Sequence, residues 1–282
     1  MIDLHAHTTA SDGELSPSDL IDLAIKTNIT TLAITDHDNI NGLEEACEYA
    51  KGKNINLIPG IEIQAKFSPG KMHILGLFVD YKNADFIAKL DKVVEFRNAR
   101  NANFIRELNN MGYSITEEEL KKEAGGDIIG KPHFARVFIK KGYTKSTSEM
   151  FDEFFNKEPL NKYRKFSYLP EEVISMLKEV GAVVILAHPQ TLKLEHNDLV
   201  MLIKQLKDFG LDGIECYHSN QTPEQMQEYK SIAKELGLIY TKGSDYHGPI
   251  VKPLISLGTG INGNIVSDEE DYILEKLLEH KI

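Results

Sequence analysis

Short apolar, β-branched runs alternate with helical patterns along most of this chain, and that alternation limits the fold more than any other feature. The candidate strands are Ile2-His5, Thr31-Thr35, Leu57-Ile63, His73-Val79, Val183-Ala187, Gly213-Tyr217 and Leu238-Gly243. Helix starts lie between them. Ser16-Pro17-Ser18-Asp19 combines a cap with proline at the first helical position, Asn41 with Glu44 marks a second start, and Thr222-Pro223-Glu224-Gln225 opens a helix that runs toward Gly237. Strand-helix alternation of this kind predicts an α/β barrel or an open doubly wound sheet.

The alternation breaks twice. Ser68-Pro69-Gly70-Lys71 is a tight turn, so the strands beside it are expected to form an antiparallel hairpin. From Tyr81 to Tyr168 no convincing strand occurs, and the stretch is helical, polar and rich in lysine, asparagine and glutamate. At 282 residues, the chain accommodates one large domain with an insertion. The expected division is a barrel built from residues 1–80 and 169–282 and a helical insertion over 81–168.

Chemistry collects where the strands end. His5 and His7 close the first strand, Asp36, His37 and Asp38 follow the second, and Glu62 lies near the end of the third. His73 begins the fourth, His188 follows "VVILA", and Asp245 and His247 follow the last strand in "GSDYHG". Strand ends at one rim of a barrel converge, so residues near the two ends of the chain can meet there. One histidine in such a place is ordinarily a satisfied or exposed imidazole. Seven of the 10 histidines, these six and His133, at strand boundaries or in the insertion argue instead for a metal site. His196, His218 and His280 are read as ordinary. Nitrogen and carboxylate ligands without sulfur suit zinc, manganese or iron. Eight candidate ligands exceed one coordination sphere and imply two or three ions, a kind of cluster that generates hydroxide at neutral pH and clamps a phosphoryl group.

Composition removes other classes. A net charge of -11 argues against a protein that coats nucleic acid. Two isolated cysteines, Cys47 and Cys216, supply neither a disulfide framework nor a zinc-thiolate site, and are read as small buried residues. No apolar stretch reaches about 18 residues, and no basic segment with an apolar core opens the sequence. A cytoplasmic protein without a membrane partner is expected.

The segments "DLHAHTTASDGELSP", "LAITDHDNINGL", "GIEI", "HILGLF", "GKPHFAR", "AHP", "GIECYHSNQTPEQ" and "GSDYHG" resemble the polymerase and histidinol phosphatase (PHP) family of metallophosphoesterases, nearly end to end. The resemblance implies a distorted (β/α)7 barrel holding two or three divalent metal ions. By motif, His5, His7, Glu62 and Asp245 would hold one ion, Glu62 would bridge to a second completed by His73 and His188, and Asp12, His37 and His247 would hold a third. Asp12 comes from the resemblance alone; by itself it reads as a turn residue before Gly13.

The insertion points to a subgroup. Arg97, Arg100, Lys131 and His133 match the "RxxR" helix and "PHFAR" segment of stand-alone members that cleave nucleoside 3',5'-bisphosphates or trim short RNA from its 5' end. Lys131 stands where that subgroup often has arginine, and Gln221 where relatives often have histidine, and both departures bear on the substrate. The resemblance implies a phosphoesterase acting through a metal-bound hydroxide on a phosphorylated small molecule or short oligonucleotide. In that reading the insertion caps the barrel mouth, the four basic residues grip the substrate away from the metals, and the general acid is unassigned, with His218 a weak candidate. Histidinol phosphate phosphatase is the alternative enzyme. A non-catalytic PHP module is disfavoured, because the full set of candidate ligands is present.

Overall fold

The computed structural model describes residues 1–124, 129–163 and 166–281. They form two compact units, one of residues 1–87 with 167–282 and one of residues 88–166. Among the described residues no helix is long and apolar enough to cross a membrane.

The first unit is built on β1 (Ile2–Asp3), β2 (Thr31–Ile34), β3 (Asn56–Ala65), β4 (Met72–Leu77), β5 (Val183–Leu186), β6 (Gly213–His218) and β7 (Ile239–Gly243). They pair in sequence order in one seven-stranded sheet. A doubly wound sheet would reverse its strand order at a switch point; this one closes on itself. Leu4 N donates to Lys242 O at 3.1 Å, His7 N to Tyr246 O at 2.9 Å, and Asp245 N to His5 O at 2.9 Å, which joins the start of the sheet to its end. The choice between barrel and open sheet therefore falls to a seven-stranded barrel.

The distortion is local to β4. It runs antiparallel to both β3 and β5, while the other pairs are parallel. The Ser68-Lys71 turn reverses the chain, and Gln64 faces His73 across the hairpin. Reversal explains why His73 starts its strand when the other candidates finish theirs: in an antiparallel strand the first residue lies at the rim where its neighbours end.

Around the sheet run α1 (Pro17–Lys26), α2 (Leu43–Ala50), α7 (Pro170–Glu179), α8 (His196–Phe209), α9 (Pro223–Glu235) and α10 (Glu270–Glu279). Two helix starts form as their residues predict. Ser16 Oγ accepts from Asp19 N at 3.1 Å. Thr222 Oγ1 accepts from Gln225 N at 3.3 Å while Gln225 Oε1 accepts from Thr222 N at 3.0 Å, a reciprocal cap. The third differs. α2 is capped by Gly42, without a side-chain hydrogen bond, and Asn41 N instead donates to Asn39 Oδ1. A Cβ at Gly42 would lie 3.0 Å from Pro17 Cγ and 3.1 Å from Ala10 Cβ, so the position favours glycine. A small hairpin of β8 (Ile255–Ser256) and β9 (Gly260–Ile261), unforeseen from the sequence, follows β7.

Helix α3 (Ala84–Asn110) carries the chain into the second unit, which adds α4 (Glu117–Ala124), α5 (Lys131–Lys140), α6 (Thr147–Met150) and a π-turn over Phe151–Phe155. It has its own core of Phe104, Leu108, Leu120, Phe134, Phe138, Met150 and Phe155, rich in edge-on ring contacts such as Phe104 with Phe134 at 5.7 Å. Residues 125–128 and 164–165 of the expected insertion lie outside the described residues.

Candidate metal centre

Strand periodicity builds the centre. Residues two apart on an extended chain share a face, so His5 and His7 flank Ala6, and Asp245 and His247 flank Tyr246. Ala6 and Tyr246 form a parallel bridge, which sets the two pairs abreast. A second bridge joins His37 to Glu62. His188 and Asp245 have φ of 27° and 57°, a region unfavourable for residues with a Cβ. Such backbone persists where surrounding bonds over-determine it, commonly at functional sites.

The bonds are present. Asp3, fully buried, accepts from His5 N at 3.2 Å and Ser244 N at 2.9 Å through Oδ1, and from Ser244 Oγ at 2.5 Å and Gly258 N at 2.7 Å through Oδ2. Asp36 does the same for the loop after β1, accepting from Thr8 N, Thr8 Oγ1 and Ser11 Oγ. Asp38 accepts from Gln64 N at 3.1 Å. These carboxylates hold backbone.

Three groups of candidate ligand atoms result, the atoms of each within 4.8 Å of one another: His5, His7, Glu62 and Asp245; His7, Asp12, His37 and His247; and His37, Glu62 and His73. In the first, Glu62 Oε2 lies 3.3 Å from both His5 Nε2 and His7 Nε2, and Asp245 Oδ1 lies 3.2 Å from His7 Nε2 and 3.6 Å from His5 Nε2. Ligand atoms about 2.0–2.2 Å from a common ion stand roughly 3–3.5 Å apart, so this spacing fits one. His5 Nε2, His7 Nε2 and Glu62 Oε2 are buried and make no hydrogen bond. Buried polar atoms are almost always hydrogen-bonded; three that are not, gathered with Asp245 within 4.8 Å of one another, form a group that could hold a metal ion.

Glu62 divides its oxygens. Oε2 faces His5, His7 and, at 2.9 Å, His37 Nδ1, whereas Oε1 faces His73 Nδ1 at 2.7 Å and His188 Nε2 at 2.8 Å. Asp12 Oδ1 lies 3.3 Å from His247 Nε2, and Asp12 Oδ2 lies 3.9 Å from His37 Nε2. All nine residues named from the sequence as ligands thus gather at one rim.

Charge follows the same pattern. Burial would raise Glu62, but His37, His73 and His5 hold its carboxyl well below the usual range. Asp245 is likewise held down, against its burial, by Lys252 and His247. Burial disfavours charge on His7, yet Asp245 and Glu62 lift it to about 9, and Glu215 and Glu62 lift His5 well above the ordinary value. His73 goes the other way, pushed down to about 4 by burial despite Glu62.

Three participants were not legible as such. Glu215 Oε1 accepts from His5 Nδ1 at 2.9 Å and its Oε2 from His188 N at 2.8 Å. Lys252 Nζ lies 2.5 Å from Asp245 Oδ2. His218, read as ordinary, is buried with Nε2 3.3 Å from the same Oδ2; its Nδ1 accepts from Asn220 N at 3.1 Å, so Nε2 carries a proton. Apart from the family resemblance of "GIECYHSNQTPEQ", a carboxylate and a histidine inside the apolar run "GIECYH" are the signal the sequence carries for Glu215 and His218.

Within the helical unit Arg97, Arg100 and His133 are buried, the arginines at 6% and 8% exposure, so neither is a solvated surface charge. Arg100 donates to Asn101 Oδ1 from Nη2 at 2.9 Å. Arg100 and Lys131 line a cavity of about 350 Å³ with Phe155, Asn156, Leu160, Asn161 and Tyr163. Gly130 caps α5 with φ of -107°, accessible to any residue, and its amide donates to His133 Nδ1 at 3.0 Å.

A parallel-dominated barrel with histidines and carboxylates crowded at its rim defines a barrel hydrolase with a metal-type centre. The chain belongs to the PHP domain family, whose model matches residues 3–276. It is similar to the 5'-3' exoribonuclease Rnm of Escherichia coli, 31% identical over 91% of this chain and 87% of that protein. It is similar also to the 3',5'-nucleoside bisphosphate phosphatase of Chromobacterium violaceum, 28% identical over 88% and 87%. A crystal structure from Bifidobacterium adolescentis, described as a metal-dependent phosphoesterase, superposes with a TM-score of 0.80 at 28% identity, over 99% of this chain and 96% of that one. The chain is an enzyme of this family, a phosphoesterase.

Proposed function

We propose that this phosphoesterase hydrolyses phosphomonoesters of nucleotides, such as nucleoside 3',5'-bisphosphates, or acts at the 5' ends of short oligonucleotides, with two or three divalent ions of manganese, zinc or iron. The observation that carries the metal requirement is the convergence of His5 Nε2, His7 Nε2 and Glu62 Oε2, buried and unpaired, on one point. His5, His7, Glu62 and Asp245 would hold one ion, Glu62, His73 and His188 a second, and Asp12, His37 and His247 a third. Such ions, when bound, supply a nucleophile at neutral pH and neutralise phosphoryl oxygens.

The chain's own groups do the rest. Glu62 serves two sets through its two oxygens. Lys252 and His218 both engage Asp245 Oδ2 and leave Oδ1 to the His5-His7 side. Arg97, Arg100, Lys131 and His133 hold the second phosphate or the next nucleotide. Support comes from the burial of the arginines and from the cation- and aromatic-lined cavity, whose size falls in the range of small-molecule sites, roughly 300–1,000 Å³. The two nucleotide-cleaving relatives support the substrate class.

Metal-reconstituted protein screened against adenosine 3',5'-bisphosphate, 5'-phosphorylated short RNA, histidinol phosphate and p-nitrophenyl phosphate tests this. Preference for the first two is expected. Histidinol phosphate as the best substrate would replace the nucleotide reading, and no metal-stimulated turnover of any of the four would end it.

A further inference from the structure

We infer that Glu215 is a positioning residue for the centre: it fixes which nitrogen of His5 carries the proton and anchors the main chain at His188. The inference rests on the reading of His5 and His188 as metal ligands. A carboxylate only accepts hydrogen bonds, so the 2.9 Å contact from His5 Nδ1 to Glu215 Oε1 places the Nδ1 proton on the side away from the centre. His5 Nε2, the atom left without a partner, is then the nitrogen with an available lone pair beside Glu62 and Asp245. Glu215 Oε2 accepts the amide of His188 at 2.8 Å, and His188 is the residue held at φ of 27°. One buried side chain on β6 therefore reaches two candidate ligands that belong to different sets, a ring just after β1 and a backbone after β5.

The surrounding fold makes room for this arrangement. A Cβ on Gly243 of β7 would lie 2.2 Å from His5 Cβ and 2.6 Å from Glu215 Oε1, so the His5-Glu215 pair fits only opposite a glycine. Gln221 Nε2 donates to the Glu215 backbone oxygen at 3.2 Å and steadies the residue from behind. Partners that orient a ligating histidine typically change metal affinity by about 10- to 100-fold when removed.

Glu215→Gln tests the idea, because it preserves shape while offering one acceptor and one amide donor where two acceptors are needed. Either the His188 amide or the His5 Nδ1-H then faces an NH2 group. Zinc titration of metal-free protein by calorimetry should show roughly 10- to 100-fold weaker binding in the variant, with the melting temperature of the metal-free form showing that it is folded. Zinc-loaded, 15N-histidine-labelled wild type should show His5 protonated on Nδ1. Wild-type zinc affinity in a folded variant, or a His5 proton on Nε2 in the wild type, would overturn the inference. Should the variant not fold, the wild-type spectrum decides alone. Wild-type protein that takes up no zinc, manganese or iron would remove the metal-site reading itself, a different result from a variant that binds as well as wild type.

Discussion

In the barrel, buried histidines and carboxylates face one another at 3.2 to 3.6 Å and some of their atoms have no hydrogen bond. In the helical unit, buried cations lie against rings: Lys131 Nζ is 4.8 Å from the centre of the Phe155 ring, and Arg100 Cζ is 5.4 Å from that of Phe104. The first arrangement could hold a metal ion. In the second, the negative face of an aromatic ring lowers the cost of burying a cation. The same physical problem, polar groups away from water, is met by facing histidines and carboxylates in one unit and by cations against rings in the other.

The sharpest break of this comparison is at the barrel rim. Asp245→Ala should reduce turnover of every substrate to the uncatalysed level, with the circular dichroism spectrum unchanged, since Asp245 lies at the rim and not in the apolar core. Residual turnover near wild type would remove Asp245 from the centre. In the helical unit the vulnerable point is the aromatic core. Phe104→Ala should destabilise that unit by about 3–5 kcal/mol, seen as lost hydrogen-exchange protection within residues 88–124 and 129–163.

Lys131→Ala probes the anion side. A charge-assisted hydrogen bond to phosphate contributes about 1.5–3 kcal/mol, so kcat/KM for a nucleoside bisphosphate should fall by roughly 10- to 150-fold while p-nitrophenyl phosphate is spared. Equal loss on both substrates would make the lysine structural. The smallest effect belongs to neither site: Thr222→Ala removes the reciprocal cap of α9 and should cost about 1 kcal/mol in denaturant unfolding, with zinc affinity unchanged.

The two regions also differ in how far the sequence reveals them. Barrel strands and rim chemistry were readable because period-two alternation and strand-then-histidine patterns are local. Even the odd placement of His73 was readable, and the reversal of β4 accounts for it. Asp3 and Glu215 were hidden because an acidic residue inside "IDLH" or "GIECYH" reveals its role only when β7 and β5 arrive beside it. The α2 start was misplaced for a related reason: Asn41 has the better capping chemistry, yet Pro17 and Ala10 crowd the position that Gly42 fills. In the helical unit, the charges of Arg97 and Arg100 are local information, but their burial is set by tertiary packing.

The seam between β1 and β7 has a consequence for biogenesis. His5 and His7 are synthesised about 240 residues before Asp245 and His247, an interval on the order of 10–50 s at typical elongation rates. Through that time the histidine pair has none of the partners that the Ala6–Tyr246 bridge later provides. By then the chain already carries His37, Glu62, His73 and His188, so what the closing strand adds is Asp245 and His247, and the rim is complete only once the ring of strands has closed.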